Sequence, residues 1–303
     1  KVRGITHLGG TILGTTNRGN PLSYPVVGPD GEMIEIDRTD ELLAAFAAHE
    51  IDALIAVGGD GSMHIASVLA EKGLRIVGVP KTIDNDLAGT IVTFGFNTAA
   101  SFATQAIDRL HSTAEAHGRV MVVEVMGRYA GWIALYAGVS ATADIILIPE
   151  IPYDIEKVAQ KVRERNEMGY GFSIAVVAEG AKPVGGELTV AEREIGHAER
   201  LGGIGAKVAE ALEELTGQDT RVVVLGHLQR GGSPTTRDRL LALRFGAAAV
   251  RALEAGESGI MVALDPPGVR YVPLAEASQR IRTVLLDSDI LLTARDMGIS
   301  FGD

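Results

Sequence analysis

The chain has 303 residues, 46% of them apolar and 22% charged, a composition that builds packed cores and excludes a disordered polymer. A net charge of −11 argues against nucleic acid or an anionic membrane as the main partner, though a few arginines in one cleft can still reverse the local field. There are no cysteines, which rules out disulfides and thiol-ligated metal, and no apolar run approaches the ~20 residues that a membrane helix needs.

In chain order, β-rich apolar runs alternate with longer amphipathic stretches. Strands are expected at Ala53–Val57, Arg75–Val79, Val120–Val125, Ile145–Ile148, Ser173–Ala178, Arg221–Leu225 and Ile260–Leu264. Helices are expected at Asp40–His49, Thr98–His117, Ile155–Met168, Gly205–Thr216 and Arg237–Glu254. Such alternation predicts an α/β fold whose mostly parallel sheets are covered on both faces, with ligands outside the carboxyl ends of the strands.

The residues after those strands carry the chemistry. Gly58-Gly59-Asp60-Gly61-Ser62 reads as a strand, a glycine turn and a helix from Ser62 onward. Its backbone N–H groups suit phosphate oxygens, and Asp60 suits magnesium. The bland alternative is a tight turn capped by Asp60, and no Walker loop occurs anywhere. Pro80-Lys81-Thr82-Ile83-Asp84-Asn85-Asp86 sets two carboxylates two residues apart. In an extended loop both side chains would point the same way, one as general base and the other orienting substrate or metal. Asx-turns are the ordinary use of such residues. Met126-Gly127-Arg128-Tyr129-Ala130-Gly131, Glu179-Gly180 and Gly226-His227-Leu228-Gln229-Arg230-Gly231-Gly232-Ser233-Pro234 follow three further strands. Arg119, Arg128, Arg221 and Arg230 are candidate phosphate ligands, since arginine binds phosphate bidentately and keeps its charge. A solvated arginine and a structural His227 are the plain alternatives.

Taken together, Gly-Gly-Asp-Gly-Ser, Lys-Thr-Ile-Asp-Asn-Asp, Met-Gly-Arg-Tyr-Ala-Gly-Trp and Gly-His-Leu-Gln-Arg-Gly-Gly-Ser-Pro resemble the 6-phosphofructokinase family, in the family's order and over nearly the whole chain. The resemblance implies two Rossmann-like lobes: a donor lobe over 1–97 that returns at 235–272, a sugar lobe over 98–234, and a tail over 273–303 packed on the sugar lobe. It implies Asp84 as catalytic base, supported by Asp86, Thr82 and Lys81, with Asp60 at the magnesium–phosphate complex and Gly58, Gly59, Gly61 and Ser62 at the donor. Met126, Gly127, Arg128, Glu179, His227 and Arg230 match the sugar-phosphate pocket. Arg119 and Arg221 match arginines lent across a subunit interface, which implies a homo-oligomer. Fructose 6-phosphate is the implied substrate and the cytoplasm the implied location. For the donor, Gly61 leaves room for ATP whereas Lys81 is a feature of pyrophosphate users; the steric argument favours ATP. Arg18 matches loosely an arginine near the transferring phosphate. The family's opening strand and its Gly-Gly-Asp-x-Pro-Gly-x-Asn loop have no counterpart here, so a missing N-terminal segment is expected. The rivals are another kinase with a Gly-Gly-Asp-Gly turn and a non-catalytic regulatory subunit of the same fold.

Overall fold

A computed structural model describes residues 2–16, 19–192 and 200–303, so Arg18 lies outside the described residues. A short antiparallel hairpin, β1 (Tyr24–Val27) and β2 (Met33–Ile36), comes first, followed by α1 (Thr39–Ala48). The hairpin is largely exposed and lacks a buried alternating face, which is why no periodicity announced it.

The next elements are β3 (Leu54–Gly58), α2 (Asp60–Glu71), β4 (Ile76–Thr82), β5 (Phe94–Gly95) and α3 (Phe96–His117). A second group follows: β6 (Val120–Val125), α4 (Trp132–Ser140), β7 (Ile145–Leu147), α5 (Ile155–Glu167), β8 (Ser173–Ala178), a small pair β9 (Val190–Glu192) and β10 (Arg200–Leu201), α6 (Ile204–Thr216) and β11 (Thr220–Val224). A 3-10 turn over Gly226–Arg230 leads to α7 (Thr236–Glu254), β12 (Ile260–Asp265), β13 (Gly268–Pro273), α8 (Leu274–Ser278) and α9 (Asp289–Asp296).

Two sheets result. One has the order β11-β6-β8-β7 and is wholly parallel. Its central strands, Val-Met-Val-Val-Glu-Val and Ser-Ile-Ala-Val-Val-Ala, are buried along their whole length, as strands covered on both faces must be. The other has the order β13-β12-β4-β3, with β5 joined to the end of β4; it is parallel apart from the β12–β13 hairpin. The alternation of strands and helices is thus realised as two parallel-rich layers.

One apolar cluster runs between the sheets. It holds Val77, Val79 and Val262 from one sheet, and Met121, Val123 and Val176 from the other, with Phe245 of α7 fully buried among them. A second cluster lies under α5 and α6, and a third under α2 and α8. Helix boundaries follow local chemistry. α5 starts where the Asp154 carboxylate accepts the Glu156 N–H at 3.0 Å, and α3 stops at Gly118, whose φ of 61° suits a residue without Cβ. Among the described residues no helix is long and apolar enough to cross a membrane.

Candidate active site

The carboxyl ends of β3, β4, β6, β8 and β11 each end in one of the loops that the sequence singled out. α2 begins at Asp60, two residues earlier than expected, with Gly59 in extended conformation as its cap. A Cβ on Gly58 would fall 2.2 Å from Ser62 Oγ, so the turn requires glycine there. At Gly61 nothing lies within 4 Å, so no packing within the protein explains that glycine.

β4 runs three residues past Val79 because Lys81 and Thr82 pair with the two-residue β5. Beyond Thr82 the loop is not extended. Asn85 has φ 56°, and its side-chain Oδ1 accepts the N–H of Thr93 at 3.0 Å. This left-handed residue, rather than an extended run, brings Asp84 and Asp86 within electrostatic reach of one another. Both carboxylates are buried, each with Oδ1 lacking a hydrogen-bond partner. The Thr82 hydroxyl donates to Asp84 Oδ2 at 3.2 Å and accepts the Asp84 N–H at 3.1 Å. Burial raises the pKa of Asp84. The Thr82 bond and the charges of Arg128 and Arg230 oppose that rise, and Asp60 adds to it. Groups from four strand ends, those of β3, β4, β6 and β11, therefore act on one carboxylate.

Opposite lies the loop after β6. Glu179, at the end of β8, accepts the N–H of Gly127 at 3.2 Å and of Arg128 at 2.9 Å through Oε1. Arg128 is left-handed at φ 51°. Gly180 lets this loop approach, since a Cβ there would stand 2.0 Å from the Arg128 carbonyl oxygen. Glu150 accepts the N–H of Gly131 at 3.0 Å, fixing the start of α4. Burial raises the pKa of both Glu179 and Glu150.

A cavity of about 570 Å³ opens between the layers. Gly59, Lys81, Thr82, Asp84 and Arg230 line it. Gly58, Asp60, Gly61, Ser62, Asp86, Met126, Gly127, Arg128, Glu179 and His227 do not line it, although Asp60 and Arg128 act electrostatically on Asp84. Lys81, His227 and Arg230 are exposed, and Met126 is buried. Arg119 and Arg221 are not brought into the cleft. They sit at the amino ends of β6 and β11, the far rim of the sheet, where Asp219 pairs with Arg119 and, at 2.5 Å, with Arg221.

Sequence reasoning missed Gln229 and Asp238, which also line the cavity and each carry a buried oxygen without a partner. Asp238 Oδ2 accepts the N–H of Thr98 at 2.7 Å across 140 positions of chain, a contact with no local signal. Among the described residues no cluster of three or more His, Asp or Glu side chains could hold a metal by itself.

A family model described as Phosphofructokinase matches residues 1–253. The ATP-dependent 6-phosphofructokinase of Chloroflexus aggregans is 55% identical over 305 residues, which span 100% of this chain and 82% of that protein. The pyrophosphate–fructose 6-phosphate 1-phosphotransferase of Amycolatopsis methanolica is 50% identical over 279 residues, 91% of this chain and 78% of that protein. The crystal structure of Pichia pastoris phosphofructokinase in the T-state superposes with a TM-score of 0.76 at 30% identity, over 91% of this chain and 29% of that one. Resemblance of strings, agreement of fold and the extent of these matches lead to one statement: the chain belongs to the phosphofructokinase family.

Proposed function

We propose that this protein is a phosphotransferase that converts fructose 6-phosphate to fructose 1,6-bisphosphate with ATP as donor, in the cytoplasm. The observation that carries the reading is Asp84: a buried carboxylate on the cavity wall, with one oxygen held by Thr82 and the other unpartnered. In the proposed reaction Oδ1 of Asp84 takes the proton of the sugar's C1 hydroxyl. The C1 oxygen then forms its bond to the terminal phosphorus as the bond to the inner phosphate oxygen breaks, and ADP leaves with that electron pair. Thr82 orients the base. Arg230, Arg128 and Lys81 offset charge on the moving phosphoryl oxygens. Glu179 holds the Gly127–Arg128 backbone for the sugar phosphate, with Met126 and His227 beside it. The α2 start, Gly58 to Ser62, offers backbone N–H groups to the donor phosphates.

Magnesium fits this chemistry. The carboxylate of Asp60 and the unpartnered Oδ1 of Asp86 suit a hard cation that binds through few carboxylates together with substrate phosphates. Asp60 would hold it, and its charge would stabilise the phosphate oxygens.

The division proposed is a donor lobe over 1–97 and 235–272 and a sugar lobe over 98–234 on which the 273–303 tail packs, apart from α8, which lies against α2 of the donor lobe. It is supported by the sheets, one drawn from residues 54–95 and 260–273 and the other from 120–224. A bridge from Ser300 to Ile145 supports the place of the tail. Arg119 and Arg221, on the far rim and partly exposed, are assigned to the cleft of a neighbouring copy in a homo-oligomer.

The test compares sugar phosphorylation with ATP and with pyrophosphate at matched concentrations. A rate with ATP alone supports the reading. A rate with pyrophosphate alone would favour the second reading, for which Lys81 on the cavity wall and the Amycolatopsis methanolica relative speak. No rate with either would leave a non-catalytic subunit of this fold.

A further inference from the structure

Residues 281–284 lie beyond the stretch matched by the family model, yet they return to the loop that follows β4. Ile281 bridges Leu87 in antiparallel fashion. The backbone N–H of Arg282 donates to the Asp86 carbonyl at 2.6 Å, and its Nη1 donates to the Asn85 carbonyl at 3.0 Å. Its own carbonyl accepts the indole N–H of Trp132 at 2.9 Å, and its guanidinium lies 4.2 Å from the centre of that ring. Two residues on, the Val284 N–H donates to Glu150 at 2.8 Å, the same carboxylate that holds Gly131.

A residue that merely packs the tail would bury its stem and leave its head in water. Here the main-chain N–H, the carbonyl and the guanidinium are all spent on two loops from different sheets. The Asn85 carbonyl belongs to the peptide between Asn85 and Asp86, directly after the left-handed residue that turns the loop. Such a conformation is strained in a residue with a Cβ, though least in Asn, and is held here by its neighbours. Burial lowers the pKa of Arg282, but a guanidinium retains its proton, and among the described residues it binds a carbonyl and an indole instead of a carboxylate.

We infer that Arg282 is a positioning residue for phosphoryl transfer, clamping the Asn85–Asp86 peptide so that Asp84 keeps its place on the cavity wall beside the buried Asp86, and tying that turn to Trp132 at the start of the sugar-side helix. The inference rests on the phosphotransferase reading of Asp84, but the clamp itself can be measured without turnover.

The experiment compares wild type with Arg282→Met and Arg282→Lys in three ways: amide hydrogen exchange over residues 82–90, emission of Trp132, which is the single tryptophan, and steady-state kinetics. In Arg282→Met we expect faster exchange over 82–90 with β8 unchanged, and altered Trp132 emission. We also expect kcat to fall ~10- to 100-fold while KM for fructose 6-phosphate stays within about twofold. Arg282→Lys should regain part of kcat. Unchanged exchange over 82–90 overturns the clamp whatever the turnover, and faster exchange with unchanged kcat overturns the positioning role. If Arg282→Met does not fold, the same comparisons are read on Arg282→Lys. Wild type inactive with both donors would sink the phosphotransferase reading, and the exchange data would still decide the clamp.

Discussion

Burial and the neighbouring Asp84 carboxylate together push the carboxyl of Asp86 up from its ordinary 3.8 to about 7. The folded protein thus holds a proton that the unfolded chain has already released between those two values. Stability from this group is full below about pH 4 and is lost as pH rises through 7. Asp86→Asn removes the titration, so its melting temperature relative to wild type should be higher at pH 8 than at pH 5, by at least ~2 °C. Equal differences at the two pH values would show that Asp86 is not the group responsible.

Asp84 is the proposed base. Asp84→Ala should lower kcat by ~10²–10⁴ while KM for fructose 6-phosphate changes little, since the sugar-side loop is held by Glu179 and Glu150. A near-normal kcat would remove Asp84 from that role.

Glu179 acts on a different parameter. Its Oε1 anchors two consecutive backbone N–H groups, and hydrogen bonds to a charged acceptor are worth about 1.5–3 kcal/mol each. Glu179→Ala should therefore raise KM for the sugar phosphate ~10- to 100-fold. Glu179→Gln keeps an acceptor oxygen and should lose less. Parallel losses in the two variants would mean that the negative charge, rather than the anchoring oxygen, matters.

Gly61 separates packing from ligand chemistry. With nothing within 4 Å, Gly61→Asp should fold with an unchanged melting temperature. Its added carboxylate would crowd and repel the inner phosphate of a nucleotide, so kcat/KM for ATP should fall ~10²-fold. Retained ATP use in a folded Gly61→Asp protein would argue that the donor phosphates lie elsewhere.

The parts legible in the sequence are those whose signal is local. β6 and β8 read as strands because all but Glu124 and Ser173 in them are apolar, and α3 and α7 carry long amphipathic periods. α4 was missed because Trp-Ile-Ala-Leu-Tyr-Ala-Gly-Val-Ser is apolar nearly all round, and six of its nine residues are buried, leaving no polar stripe to reveal a period. The loops after the strands announced the residues of the site, but not its geometry. The turn at Asn85 is set by Thr93 and Arg282, 8 and 197 positions away, and Asp238 reaches Thr98 across 140. Contacts of that span leave no pattern in a window of adjacent residues.

The apolar cluster between the sheets has a mechanical consequence. Val77 and Val262 on one side share it with Val123 and Val176 on the other, and α7 closes it with Phe245. Prising the layers apart like the covers of a book would expose that oil-like seam to water, at ~25 cal/mol for each Å² uncovered. Heating should therefore dissolve both sheets in a single calorimetric peak, since neither can lose its place without uncovering the other.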